Sequence, residues 1–441
     1  MITTTALPAS RIVSVDIPDP DNFLMVLRVL NDFVRDSVAV ILSPRPVTFK
    51  AAPYGEKLTP LLEAINKASA NEKSYSSFPV GLHRLISPVT NKDLGDSEWV
   101  RRLEPKDQVW LYQDPDFSDE TVREDSYLYL TVSALRLVGF LDAHGVDRNR
   151  YNIYWDKNSL RKITVGLRHA FHLPDFTFDF NGLQLCRYEN VITSNIDDDG
   201  NVKHVLSDNL RKGITEICED YIREKTESLS LDENTLLRKL EDLIATNIDA
   251  GIVPEIYVGG PFTETLAYLN NAPVKRIVGM GGFIHGSSNL FPNQFNFLVD
   301  MESAKTLLKL ADSGKVELIL LPTECVKDSV YTLNHQELEE CMSESPESLK
   351  LYSNWSRIKD PTKATYTPFD LVAAMTVNAP DLYTSKKVKL DVKTHLDGSE
   401  VIMFRPCKDG EITMYWNDNE YMKHKRSQYL DALKNTFRIS S

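Results

Sequence analysis

The chain opens with a short apolar run that is followed by apolar residues at helical spacing. Residues 12–15 predict a buried strand, and the apolar positions within Phe23–Leu30 recur with the period of a helix. The run Val38–Leu42 is continuously apolar and is soon followed by Pro44, which is typical of a parallel strand that is buried on both faces. Together these segments predict a β–α–β unit at the start of the chain.

The second half of the chain repeats this alternation more regularly. Three short apolar runs predict strands: Ile256–Val258, Arg276–Met280 and Val316–Leu321. A helix is predicted for Met301–Ala311, between the last two of them. Such alternation predicts an α/β protein with a mostly parallel central sheet and helices on both faces. Alternating strands and turns after residue 387 predict a small antiparallel C-terminal add-on, followed by a helix at Glu420–Phe437.

The stretch between the two regular halves is more polar. We interpret residues 1–441 as a single domain with an insertion at 50–125 and a C-terminal extension at 387–441. The core pattern resumes with a predicted helix at Leu128–Ala143, and residues 205–250 are predicted to be helical. The acidic run Asp197–Asn201 lacks the twelve-residue calcium-loop pattern, so a turn between hairpin strands is expected there.

Composition narrows the functional classes. The formal net charge of −13 over 441 residues argues against nucleic acid as a partner, because phosphate binding needs a basic face. The five cysteines are odd in number and widely spaced, which favours free thiols in a reducing compartment. No signal-peptide pattern and no bilayer-length apolar run is seen, so the cytosol is the expected location.

Candidate chemistry begins where the first predicted strand ends. Asp16, Asp19, Asp21 and Asn22 follow one another within seven residues. In an open α/β sheet, ligands bind at this edge, and a hard cation such as Ca²⁺ takes oxygen ligands of this kind. The alternative is a solvated turn in which Asp21 or Asn22 caps the next helix.

Other candidate motifs are less specific. The glycine-rich run Gly279–Gly286 is not the dinucleotide-binding pattern, and Val258–Thr263 is not a Walker A loop. His169 and His172 are spaced to share a helix face, but no third metal ligand is fixed by spacing. A structural role for these histidines is favoured over a metal site.

Three stretches in this order resemble the inosine/uridine-preferring nucleoside hydrolase family. They are Asp16–Leu27, Val258–Leu269, and the series that runs from Gly279 to Ala304. That family has an acidic D-x-D-P-x-x-D-D loop, a later G-P-L-T-N turn, and an M-G-G loop followed by G-N-x-T-P-x-x-E-F-N and D-P-E-A-A. The resemblance implies N-glycosidic bond hydrolysis of a ribonucleoside or related N-riboside, and a homo-oligomer, since related enzymes are commonly dimers or tetramers.

Carried over by position, the resemblance implies a Ca²⁺ site and a ribose site. The cation would be held by Asp16, Asp21, the main-chain carbonyl of Gly259, and Asp370. The ribose hydroxyls would be bound by Asn289, Gln294 and Asn296. Asp16 would also act as the general base that takes a proton from the attacking water.

Several departures from the family pattern leave alternatives open. The first loop is one residue shorter, Gln294 replaces a carboxylate, Glu264 replaces the asparagine of the L-T-N turn, and no histidine precedes Asp370. His285 or His169 are candidates for the missing leaving-group acid. One alternative is therefore a ribose- or nucleoside-binding protein with impaired turnover. Another is an enzyme that acts on a modified nucleoside or a secondary metabolite.

Overall fold

A computed structural model of the chain describes residues 6–16, 20–43, 48–50, 119–158, 177–180, 183–185, 192–196, 202–206, 219–282, 294–298, 300–326, 331–343, 345–349, 365–394, 400–416 and 423–437. The strands of these residues are β1 (Arg11–Val15), β2 (Val38–Leu42), β3 (Thr48–Lys50), β4 (Tyr151–Trp155), β5 (Thr177–Phe180), β6 (Leu183–Leu185), β7 (Ile192–Ile196), β8 (Val202–Leu206), β9 (Leu237–Lys239), β10 (Glu255–Val258), β11 (Arg276–Met280), β12 (Leu318–Leu321), β13 (Leu333–Asn334), β14 (Thr365–Tyr366), β15 (Thr384–Thr394), β16 (Glu400–Pro406) and β17 (Ile412–Trp416).

The α-helices whose bounds are fully described are α1 (Pro20–Asp32), α2 (Asp119–Ala143), α3 (Glu233–Leu236), α4 (Leu240–Asp249), α5 (Thr263–Leu269), α6 (Phe295–Leu298), α7 (Met301–Asp312), α8 (Thr323–Val326), α9 (His335–Met342), α10 (Phe369–Met375) and α11 (Arg426–Phe437). Short 3-10 turns lie at Arg148–Arg150 and Pro380–Leu382, and residues 219–228 are also helical.

A ten-stranded sheet forms the centre of the fold, in the order β16-β15-β17-β12-β11-β10-β1-β2-β4-β9. Neighbouring strands of this sheet pair in parallel from β17 through to β9, and β15 is the one strand of the sheet that runs in the opposite direction. The strands β1, β2, β10 and β11 are buried along almost their whole length, as is usual for parallel strands that are covered on both faces. The predicted α/β fold class is therefore confirmed.

The predicted C-terminal strands are present, and they extend the main sheet rather than forming a separate layer. Strands β15 and β16 make an antiparallel pair, while β17 pairs in parallel with β12. The predicted hairpin around Asp197–Asn201 is supported by the antiparallel pairing of β7 with β8, although the turn itself lies outside the described residues. The helical prediction for 205–250 is wrong at β9, a three-residue strand at the edge of the sheet between two helices.

The order of the strands brings the candidate chemistry to one edge of the sheet. Strand β1 lies between β10 and β2, and β10 lies between β1 and β11, all of them parallel. The loops that follow β1, β10 and β11 therefore leave from the same, carboxyl-terminal edge. Helix α1 follows the first of these loops, and its predicted apolar positions from Phe23 to Leu30 are all buried.

Polar contacts fix the opposite edge. The fully buried side chain of Asn247 accepts a hydrogen bond from Ala9 N (2.7 Å) and donates to Ala9 O (3.0 Å) and to the hydroxyl of Tyr268 (2.9 Å). Glu255, at the start of β10, accepts hydrogen bonds from Lys275 (2.8 Å) and Arg276 (3.1 Å). Both sets of contacts hold the segments that enter β1 and β10.

A third buried polar group lies at the end of α2. His144 Nδ1 donates to the carbonyl of Phe140 at 2.8 Å, and Nε2 lies 2.5 Å from Ser345 Oγ and 3.2 Å from Ser348 Oγ. Burial lowers the pKa of His144, although the Phe140 carbonyl and the charge of Glu347 act in the opposite direction. The neutral imidazole is therefore the form that the fold favours.

The single-domain prediction with its insertion stays a prediction. Residues 51–118 lie outside the described part of the chain, as do His169 and His172. Cys325, Cys341 and Cys407 are free cysteines, in agreement with the expectation drawn from their spacing. No described helix has the length and apolar character needed to cross a bilayer.

Candidate active site

Acidic and amide side chains are buried where β1 leads into α1. Asp16 is 4% exposed, Asp21 7% and Asn22 0%. Pro20 is the first residue of α1, a position that tolerates proline, and Asp21 lies in the first turn, where the helix dipole favours an anion. The alternative of a solvated turn is therefore not supported for these three polar side chains.

Asn22 binds Asp16 through its amide nitrogen. Its Nδ2 donates to the main-chain oxygen of Asp16 at 3.0 Å and to the carboxylate Oδ1 at 2.6 Å. The two hydrogen bonds fix the orientation of the Asp16 side chain against the start of α1. A hydrogen bond to an ionised oxygen is among the stronger polar contacts, so this pair is a rigid part of the site.

The main chain just after β10 approaches this pair so closely that a side chain there would collide with it. A Cβ atom built on Gly259 would lie 2.5 Å from Asn22 Oδ1 and 3.0 Å from Asp370 Cβ. A Cβ on Gly260 would lie 3.1 Å from the main-chain nitrogen of Asp16. The Gly-Gly pair thus allows the main chain that follows β10 to lie directly against Asp16 and Asn22.

Asp370 joins the same group from the far end of the chain. It lies in the first turn of α10 and is 7% exposed, and its main-chain N–H donates to Asp21 Oδ2 at 3.0 Å. A contact between residues 349 positions apart fixes α10 against α1. Asp370 therefore lies against Asp21 and Gly259, and Asp16 is joined to this group through Asn22 and Gly260.

The predicted ribose-binding amides lie beside the next strand. Asn296 Nδ2 donates to the main-chain oxygen of Met280 at 3.1 Å, and Gln294 Nε2 lies 3.1 Å from Met280 Sδ. Gln294 Oε1 accepts from Phe297 N at 3.3 Å, and both amide residues are buried. Asn289 lies outside the described residues, as does His285.

The second and third sequence motifs are joined by a helix cap. Asp300 is the N-cap of α7, and its Oδ1 accepts from Ser303 N at 3.0 Å. Its other oxygen accepts from Thr263 Oγ1 at 2.8 Å. The rings of Phe262 and Phe297 pack with centroids 5.3 Å apart. These contacts hold α6 and the start of α7 against the start of α5.

Sequence reasoning missed two polar contacts at this edge. The first is the double role of Asn22, described above. The second is Glu264, which is fully buried and accepts a hydrogen bond from Ser43 Oγ at 2.7 Å. Ser43 directly follows β2. A hydroxyl residue at the end of a buried parallel strand is the sequence signal that could have indicated this contact with Glu264.

The site contains oxygen donors of the kinds that a hard cation takes. Carboxylates of Asp16, Asp21 and Asp370, the carbonyl of Gly259 and the buried Asn22 Oδ1 are all oxygen donors of the kind that Ca²⁺ takes. Within the described ranges, however, no three side chains of the His, Cys, Asp and Glu types are grouped as a metal site. A cation would therefore need the amide or main-chain oxygens in addition to carboxylates.

The fold and the site define a class of protein: an α/β protein with a buried acidic site at the carboxyl edge of its sheet, joined to an aspartate near the C-terminus. Residues 242–432, somewhat under half of the chain, match the family model described as inosine-uridine preferring nucleoside hydrolase. The predicted resemblance to this family of N-glycosyl hydrolases is therefore confirmed over this part of the chain. The matched range includes Gly259, Gln294, Asn296 and Asp370, but not the acidic loop after β1.

Solved structures of low sequence identity are also similar. An inosine-uridine preferring nucleoside hydrolase from Bacillus anthracis has 12% identity and a TM-score of 0.43, covering 97% of this chain and 99% of its own. A plant nucleoside hydrolase has 12% identity and a TM-score of 0.46, covering 99% and 100%. The type III effector protein XopQ, solved with adenosine diphosphate ribose, has 11% identity and a TM-score of 0.44, covering 98% and 96%. A comparison with curated protein sequences gives no significant match.

Proposed function

We propose that this protein hydrolyses the N-glycosidic bond of a ribonucleoside or a related N-riboside in a Ca²⁺-dependent reaction, releasing the base and ribose. The family match supports N-riboside hydrolysis in general. The calcium ion and the ribonucleoside substrate are the finer parts of the proposal. They rest on the side chains at the carboxyl edge of the sheet.

One observation carries the proposal: Asp370 contacts Asp21 at the start of α1, 349 residues earlier in the chain. Asp370 N donates to Asp21 Oδ2 at 3.0 Å, and the backbone of Gly259 lies against Asn22 and Asp370. Buried carboxylates repel one another and are costly to desolvate unless a positive charge or a hydrogen-bond donor offsets them. A bound divalent cation would offset that repulsion.

The roles of the side chains follow from the chemistry of the bond. Breaking an N-glycosidic bond develops oxocarbenium charge on the ribose, which nearby carboxylates stabilise. Asp16, held in place by Asn22, is suited to accept a proton from an attacking water. A bound Ca²⁺ would lower the pKa of that water and bind the 2′,3′-diol.

The amide residues are proposed to position the ribose. Asn296 is tied to the end of β11 through its Nδ2, so its orientation is fixed before substrate binds. A fixed amide beside the sugar hydroxyls increases the rate through orientation. Asn289 is proposed to act with it.

The test is base release from a panel of ribonucleosides by the full chain. We expect activity with calcium, loss of activity with a calcium chelator, and loss in Asp21→Ala. Asp249→Ala, at an exposed position at the end of α4, is the matched control and should keep wild-type activity. Full activity of Asp21→Ala, or of the wild type in chelator, would contradict the metal role.

A second candidate function is binding of a ribose or nucleoside without turnover. The observation that favours it is Gln294, a neutral amide where the family has a carboxylate, engaged here with Met280 and the Phe297 main chain. Without the negative charge of a carboxylate at this position, the site would stabilise a cationic transition state less well. Calorimetric ribose binding without base release from any nucleoside of the panel would favour this candidate.

A further inference from the structure

A cavity of about 310 Å³ lies between α1, α2 and the segments 219–229 and 345–349. Its volume is at the lower end of the range of small-molecule sites in proteins. None of the described residues that line it belongs to the proposed calcium or ribose site. The cavity is therefore a candidate for a second binding site.

The floor of the cavity is apolar. Phe23 from α1 and Leu135 and Phe140 from α2 are buried side chains that line it. The rings of Phe23 and Phe140 pack edge to face, with centroids 5.3 Å apart. Aromatic surfaces of this kind favour contact with a planar apolar ring.

Gly139 leaves this floor open. It lies in the interior of α2, where glycine is less favourable than alanine. A Cβ atom built on it would meet nothing within 4 Å, so packing does not exclude a side chain at this position. A helical glycine and an unfilled cavity both lower stability. Residues that lower stability without a packing reason are typical of functional sites.

Two cations that line the cavity lie over aromatic rings. Arg136 Cζ lies 5.5 Å from the centroid of the Phe23 ring, and Lys225 Nζ lies 5.7 Å from that of Tyr221. Cation–π contacts of this length attract the charged groups to the rings. The positive charges are thus held beside the apolar floor.

The charges that line the cavity favour a monoanion. Glu347, which is exposed, is the acidic residue among the described lining residues, so Arg136 and Lys225 leave a net charge of one positive unit. Lys225 also lies 3.5 Å from Glu224, whose side chain is 74% exposed, and a surface pair of this kind is weak. A local positive charge attracts an anion, whereas a second negative charge on the ligand would be repelled by Glu347.

We propose that this cavity binds a small monocarboxylate that carries a planar apolar ring. The ring lies on the floor against Phe23 and Phe140, and the carboxylate is bound by Arg136 and Lys225. A guanidinium group is well suited to this role, because its fork of N–H donors matches the two oxygens of a carboxylate.

The experiment is calorimetric titration of the full chain with naphthoate. We expect saturable binding with a Kd below about 1 mM. Naphthol lacks the charge and acetate lacks the ring, so each should bind at least about tenfold more weakly. Naphthyl phosphate should also bind more weakly than naphthoate, because Glu347 repels its second charge.

Two substitutions separate the floor from the charge. Gly139→Leu should fill the floor and weaken naphthoate binding about tenfold or more. Arg136→Gln should weaken naphthoate binding by about the same factor and leave naphthol binding unchanged. Arg35→Gln removes the same charge at an exposed position and is the matched control, with an unchanged naphthoate Kd. Circular dichroism checks that each variant is folded.

Two results would overturn the proposal. The first is the absence of saturable naphthoate binding, or the same Kd in the wild type, Gly139→Leu and Arg136→Gln. The second is tighter binding of naphthol or naphthyl phosphate than of naphthoate. If Gly139→Leu does not fold, Arg136→Gln and Lys225→Gln decide in the same way. The titration does not use base release, so a failure of the proposed hydrolysis would leave its result unchanged.

Discussion

Replacement of Gly259 by alanine tests the close approach on which the site depends. The new Cβ would lie 2.5 Å from Asn22 Oδ1, 2.8 Å from Met25 Sδ and 3.0 Å from Asp370 Cβ. The Met25 side chain is flexible and can move. Asn22 is held by two hydrogen bonds to Asp16 and cannot move without breaking them.

The expected loss of stability in Gly259→Ala follows from overpacking. Forcing an extra methyl group into a packed interior costs about 1–3 kcal/mol. The substitution also restricts the unfolded chain, which by itself raises the free energy of unfolding by about 0.4–1 kcal/mol. We therefore expect Gly259→Ala to lower the free energy of unfolding by roughly 1–2 kcal/mol, and to weaken calcium binding because Asn22 and Asp370 are displaced.

A matched control makes the sign of the effect informative. A Cβ on Gly139, inside helix α2, would meet nothing within 4 Å. Gly139→Ala should therefore raise the free energy of unfolding by about 0.5–1 kcal/mol. Urea unfolding followed by circular dichroism, with calcium calorimetry on both variants, is the assay. A Gly259→Ala protein as stable as the wild type, with an unchanged calcium Kd, would refute the close-approach argument.

Three further predictions concern the contacts that support the sheet. Asn247→Ala should lower the free energy of unfolding, measured in urea, by about 2–4 kcal/mol, because it leaves the buried main-chain N–H and C=O of Ala9 without their partners. A loss below about 0.5 kcal/mol would contradict this prediction. Burial raises the pKa of Glu255, but Lys275 and the neighbouring arginines outweigh this effect and hold the pKa below its usual value. The ionised Glu255 therefore stabilises the fold above pH 4.5, and this contribution is lost as the pH falls through the lowered pKa of the folded state. Glu255→Gln should therefore flatten the acid limb of a stability-against-pH curve and lower stability at pH 7 by about 1–3 kcal/mol. Burial lowers the pKa of His144, so the neutral imidazole stabilises the fold above about pH 6.5, and this contribution is lost as the pH falls towards the pKa of the folded state. The urea midpoint should therefore drop less between pH 7.5 and pH 5.5 in His144→Gln than in the wild type. An equal drop in both proteins would contradict this prediction.

Local patterns were sufficient to predict the elements that carry the site. The runs that became β1, β2 and β11 are apolar along almost their whole length, because parallel strands are buried on both faces. The pairing of β17 with β12 was not predictable, because alternation indicates a strand but not its neighbour. Strand β9 was missed because three residues between helices carry no period of their own.

The candidate site could be predicted only in part, for a physical reason. The resemblance indicated which aspartates should meet, and the contact between Asp21 and Asp370 agrees with that expectation. The role of Asn22 depends on which way its amide points, and that direction is set by Asp16 and Gly259, which lie 243 residues apart in sequence. No spacing rule within the acidic loop contains this information.

The C-terminal helix α11 takes part in the support of helix α1. Arg28 and Asn31, in the second half of α1, bind the end of α11: Arg28 Nη1 donates to Ala432 O at 2.6 Å, and Asn31 Nδ2 donates to Thr436 O at 2.8 Å. The last four carbonyls of a helix have no intrahelical partners, so Asn31 satisfies that of Thr436, and the positive charge of Arg28 lies near the end of the helix that favours a cation. Helix α1 is thus fixed at its start by α10 and at its end by α11. Because Asp21 lies in the first turn of α1, helix α11 helps to hold in place the helix that carries this proposed calcium ligand.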